Sequence, residues 1–156
     1  DYYASRGLGD VYKRQLHDVG KIINFYAHAR HSAFMISQAP LYGLTQIEQI
    51  LTGFIAGFHH GISRKILRAY RYDHMASAED WVMIRKLSTI LALAEASDLT
   101  YEQIVTDVDV TMAENVAVVI LSTKPDSTYS AADYEMKQLN KQFKKEFGAS
   151  LLLVWR

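Results

Sequence analysis

Three features of this sequence predict a mostly α-helical chain with a small C-terminal β-β-α-β extension. Apolar residues recur at three- and four-residue spacing from Leu16 to about Asp98. After Asp98 the period shifts to alternation, as in strands. The 156 residues, 49% of them hydrophobic, suffice for a real core. The expected organisation is a helical domain over 16–98 and the extension over 99–156 packed on it.

Leu16 to Val19 reads as a helix end stopped by Gly20, which tolerates the left-handed cap. The apolar and aromatic run from Ile22 to Ser37 reads as a second helix, with Phe25, Tyr26 and Phe34 as core. Pro40 and Gly43 then mark a turn. Thr45-Gln46-Ile47-Glu48 is a capping box, because hydroxyl and carboxylate can each satisfy an amide that the first helical turn leaves open. Ile47, Ile50, Leu51, Phe54, Ile55 and Phe58 follow as one apolar stripe, up to His59-His60-Gly61. Ser77-Ala78-Glu79-Asp80 opens the next helix, with Trp81, Ile84, Leu87, Leu91 and Ala94 inward.

Val108, Val110 and Met112 alternate with polar residues and predict a strand with one buried face. Ala113-Glu114-Asn115 turns the chain into a second, more apolar strand from Val116 to Leu121. A helix from about Ala131 to Phe147 carries the stripe Ala132, Met136, Leu139, Phe143 and Phe147. Gly148 stops it, and Leu151 to Trp155 is the last strand.

Composition excludes several classes. Seventeen Lys plus Arg balance seventeen Asp plus Glu, and this neutrality argues against a dedicated DNA or RNA binder. No cysteine is present, which removes disulfides, thiolate catalysis and Cys-based zinc sites. No apolar run approaches the ~18 residues of a membrane helix, so no membrane partner is expected and the cytoplasm is the default compartment. Residues 1–15 read differently from the rest. They have no initiator Met and no signal-peptide pattern, and Gly9 to Gln15 resembles translated sequencing-adapter text. The native chain is expected to continue upstream of Leu16.

The six histidines carry the chemistry. His17 and Asp18 are adjacent at a helix end, where imidazole and carboxylate can share a hard divalent ion. His28 and His31 are three apart and would lie on one face of a helical turn. His59 ends an amphipathic helix, and the acids Glu95 and Asp98 come late. Imidazoles and carboxylates meeting from separate helices are what a divalent-metal phosphohydrolase requires. His60 and His74 read instead as helix-end caps. Lys21, Arg64, Lys65, Arg68 and Arg71 form either a phosphate-attracting rim or an ordinary solvated basic face.

LHDVGKIINFYAHARHS, LYGLTQIEQILTGFIAGFHH and IRKLSTILALAEASDLTYEQIV together resemble the C-terminal part of the exopolyphosphatase/guanosine-pentaphosphate phosphatase (Ppx/GppA) family. The likeness runs from Leu16 to the end. It implies an HD-type helical bundle here, in a bacterial parent that releases orthophosphate from polyphosphate or guanosine pentaphosphate with magnesium. It also implies that the phosphoanhydride chemistry belongs to upstream actin-like domains, and nothing in this chain matches their phosphate loops. In the HD pattern His17 and Asp18 match the pair and the downstream acid falls at Glu95. The upstream His would precede Leu16.

Three readings follow. The first is a polyanion-binding and assembly module, using Lys21, Arg64, Lys65 and Arg68, in which broad apolar helix faces allow a homodimer. The second is a metal-dependent HD phosphohydrolase with Mg or Mn on His17, Asp18, His28, His31, His59 and Glu95. The third is a purely structural or dimerisation domain.

Overall fold

A computed structural model describes residues 16–61 and 73–156. Arg64, Lys65, Arg68 and Arg71, and the segment 1–15, lie outside the described residues. The chain divides into two compact units, Asp1–Leu91 and Ala92–Arg156. Together they are mostly helical, with a small β extension in the second. No helix among the described residues is long and apolar enough to cross a membrane.

The first unit contains a 3-10 turn at Val19–Ile22, another at Phe25–Ala27, then helices α1 (His28–Gln38) and α2 (Gln46–Phe58). Helix α3 (Ala78–Ser97) begins in this unit and runs on into the second. The capping box at α2 forms as its spacing predicts. Glu48 N donates to Thr45 Oγ1 at 3.3 Å, and Thr45 N donates to Glu48 Oε2 at 2.8 Å. Ser77 and Asp80 repeat the device before α3, with Ser77 N donating to Asp80 Oδ2 at 2.8 Å and Asp80 N to Ser77 Oγ at 3.1 Å.

The α2 stripe supplies most of the core: Ile50, Leu51, Phe54, Ile55 and Phe58 are buried with Ala33 and Ile84, and Trp81 and Leu87 pack around them. Phe54 and Phe58 stack with centroids 5.9 Å apart. Gln49 Nε2 donates to the carbonyls of Ile36 and Ala39, at 2.8 and 2.6 Å, and so satisfies oxygens that the end of α1 leaves open.

Two expectations for this unit change. Gly20 is not a left-handed cap but sits inside the first 3-10 turn, buried. A Cβ there would run into the carbonyl oxygen of His28 and the amide of Ser32, so glycine is needed for close approach to α1. The aromatic run is not core either. Phe25 is 66% exposed and Tyr26 95%, because regular helix starts only at His28, and Phe34 lies on the exposed face of α1.

The second unit is a three-stranded sheet of order β1-β2-β3, with β1 at Val105–Ala113, β2 at Val116–Thr123 and β3 at Ser150–Trp155. The β1–β2 pair is an antiparallel hairpin that places Ala113 opposite Val116. The β2–β3 pair is parallel and needs a crossover, which helices provide. The single helix expected there is two, α4 (Ser130–Gln138) and α5 (Asn140–Phe147). They part at Leu139, whose amide takes the tighter bond to Met136. Ala96, Val119, Leu121 and Met136 form one cluster, and Ala117, Phe143 and Ala149 another. The expected buried face of β1 is absent. Val108, Val110 and Met112 are exposed, since the apolar clusters of this unit take their strand residues from β2 and β3 and, on β1, only from Val105.

Candidate functional site

The first unit gathers polar side chains at the junction of three chain segments. Gly20 lets the 16–22 segment lie against the start of α1, and its amide donates to Ser32 Oγ at 2.8 Å. That contact brings Asp18 to His28, the first residue of α1, with Oδ1 3.2 Å from Nε2. The end of α2 arrives from the other side with His59 and His60. His28 Nε2 lies 3.3 Å from His59 Nε2 and 3.1 Å from His60 Nε2. The His17 ring meets that of His59 edge-on at 5.3 Å, and His17 Nε2 stands 3.5 Å from Asp18 Oδ2.

Backbone carbonyls set the tautomers. His28 Nδ1 donates to the Phe25 oxygen at 2.8 Å, and His59 Nδ1 donates to the Ala56 oxygen. Because a carbonyl only accepts, each neutral ring carries its proton on Nδ1 and presents Nε2 as a lone pair. Asp18 Oδ1 is buried and has no hydrogen-bond partner, although His28 Nε2 is near. With the proton on Nδ1, that nitrogen has none to give.

Electrostatics shift two members of the cluster, His59 and Asp18. The pKa of His59 is pulled down to about 3, chiefly by burial and then by the neighbouring charge of His60, against the opposing Ala56 bond. Burial by itself raises the Asp18 carboxyl, but the bond from Lys21 and the charges of His17, Lys21 and His28 outweigh it and hold it below the usual range. Lys21 Nζ donates to Asp18 Oδ2 at 2.5 Å and lies 5.8 Å from the centroid of the Phe25 ring.

Most of the expected residues of this unit meet here. His17, Asp18, His28 and His59 come together with Lys21 at the edge. His60 joins them, with ligand atoms of His28, His59 and His60 all within 4.8 Å of one another. Spacing hid it, since residues one apart on a helix do not share a face. The chain leaves α2 at His59, however, and turns at Gly61 with φ +110°, which lets both rings converge. A His-His pair ahead of a glycine at a helix end was the available signal. His31 is half-buried against Gly20 and outside this convergence. His74 is exposed in a separate 3-10 turn. Glu95 is half-buried near the end of α3 and belongs to the second unit.

The family model for Ppx/GppA phosphatase, domain III, matches residues 12–142. The chain belongs to this family. No curated protein matches it. The matched span contains the whole cluster of this Ppx/GppA domain III and ends at Gln142 in α5, ahead of β3. The donor set fits a divalent cation: lone-pair imidazole nitrogens, an ionised carboxylate with an unbonded buried oxygen, and backbone carbonyls that fix the rings. His28, His59 and His60 would hold it, with Asp18 beside His28.

Proposed function

We propose that this chain is the phosphate-holding part of a larger exopolyphosphatase-type hydrolase. It binds polyphosphate or the phosphates of guanosine pentaphosphate while other domains of the parent break the phosphoanhydride bond. The observation that carries this reading is the convergence of His28, His59 and His60, with Asp18 against His28, in a chain of the Ppx/GppA family. A divalent ion held there supplies positive charge to phosphoryl oxygens. Lys21 adds a cation at the edge, and its bond to Asp18 keeps the carboxylate ionised and oriented. The exposed run Ile22, Ile23, Phe25 and Tyr26 beside Lys21 supports an assembly role, because large apolar side chains grouped on a surface mark contact sites.

Titration of the full chain with polyphosphate, with divalent ion and then with chelator, tests this. Affinity is expected to fall at least about tenfold on chelation or in Lys21→Ala, and to fade with salt. Binding that neither change alters would contradict it.

The unbonded Asp18 Oδ1 beside lone-pair nitrogens favours a second reading, a metal-dependent phosphohydrolase in its own right. Turnover of a phosphodiester by the metal-loaded chain, abolished in Asp18→Asn, would support it. Ligand binding without turnover returns the role to holding.

A further inference from the structure

We propose that His28, His59 and His60 form a three-imidazole site for a borderline transition-metal ion of the Zn²⁺ and Co²⁺ class, with the fourth position left to water, and that it discriminates against Mg²⁺. The spacing is the first argument. Ligands about 2.05 Å from a tetrahedral zinc ion stand about 3.3 Å from one another. His28 Nε2 stands 3.3 Å from His59 Nε2 and 3.1 Å from His60 Nε2, and the ligand atoms of the three rings all lie within 4.8 Å of one another.

The second argument is the direction of the protons. His28 and His59 spend their Nδ1 protons on the carbonyls of Phe25 and Ala56, so each neutral ring turns its Nε2 lone pair toward the other. The same carbonyl bonds are the outer contacts that orient metal-bound imidazoles.

The third argument is donor chemistry. Imidazole suits zinc, cobalt, nickel and iron, whereas Mg²⁺ takes near-octahedral oxygen donors and keeps several waters. Three imidazole nitrogens are a poor match to magnesium. The family likeness implied magnesium for the parent; this domain would carry a different ion. The proposal rests on the phosphate-holding reading for its purpose, but the ion can be measured with no phosphate present.

The test is titration of the metal-stripped full chain with Co²⁺, read by visible absorption, followed by Zn²⁺ or Mg²⁺ in competition. One equivalent with the intense absorption of a tetrahedral ion is expected, displaced by Zn²⁺ and not by a large excess of Mg²⁺. His28→Ala and the exposed His60→Ala are each expected to lower Co²⁺ affinity at least about tenfold, while His74→Ala, outside the cluster, leaves it unchanged. A pale octahedral spectrum, displacement by Mg²⁺, or affinity that His60→Ala leaves intact in a chain with wild-type circular dichroism would overturn the proposal. Metal binding without polyphosphate binding would remove the phosphate-holding role and leave this site standing.

Discussion

His28 and His59 face each other Nε2 to Nε2 at 3.3 Å, although 31 residues separate them in the chain and each ring's other nitrogen is tied to a backbone carbonyl. Both are buried, His59 to 1% exposure and His28 to 7%. A buried pair of this kind has no apolar role, and it is held in place by packing elsewhere: the α2 stripe fixes His59, and Gly20 fixes the approach of Asp18 to His28.

Gly20→Ala tests that last dependence. The new methyl would overlap the His28 carbonyl and the Ser32 amide, both main-chain atoms of α1. Overpacking of this kind costs about 1–3 kcal/mol, and backbone neighbours place this case at the upper end. Urea denaturation is expected to show that loss, together with weaker Co²⁺ binding because the overlap displaces His28. Unchanged stability would mean that the 16–22 segment does not lie on α1.

The second unit carries its own acid-sensitive contact. Asp133 Oδ2 accepts from Lys137 at 2.6 Å, and Oδ1 accepts from the Trp155 indole at 2.9 Å. The Lys137 bond, helped by Trp155 and opposed by burial, lowers the Asp133 pKa from its ordinary 3.8. A carboxyl lowered on folding contributes stability above its unfolded pKa and loses it as pH falls through the folded value. The melting-temperature difference between the wild type and Asp133→Asn is therefore expected to be full near neutrality and to shrink below about pH 4. A difference that stays constant across that window would contradict the assignment.

Glu114 occupies the left-handed region, φ +51°, in the two-residue loop between β1 and β2. A non-glycine residue there costs on the order of 1–2 kcal/mol, and hairpin loops of this length favour glycine or asparagine at such positions. Glu114 is exposed, so its side chain has little packing to lose. Glu114→Gly is expected to stabilise the chain by about 0.5–1 kcal/mol in chemical denaturation. Destabilisation would show that the loop does not hold this backbone.

Legibility followed the range of the interactions involved. Thr45 and Glu48, or Ser77 and Asp80, act within one turn, so both helix starts could be read directly. The stripe from Ile47 to Phe58 also stated which face is core, since six apolar side chains at helical spacing leave one burial solution. The change of period after Asp98 announced the hairpin. What stayed hidden depended on partners distant in the chain. Gly20 looks like a helix stop until α1 is placed against it, and Val108, Val110 and Met112 look inward until the clusters are seen to form on β2 and β3. Phe25 and Tyr26 were assigned to the core on hydrophobicity alone, yet they stand in a 3-10 turn that faces out. His17, Asp18, His28 and His59 could be nominated from residue type and position at segment ends. His60 required the geometry of the turn after α2.

The most direct measurement is the histidine nitrogen spectrum of the ¹⁵N-labelled chain, recorded metal-free and after one equivalent of Zn²⁺. His28 and His59 are expected to show the Nδ1–H tautomer before addition, and their Nε2 signals, with that of His60, to shift on addition while His31 and His74 stay put. Nε2–H tautomers in the metal-free chain, or zinc shifts spread evenly over all the histidines, would contradict the account.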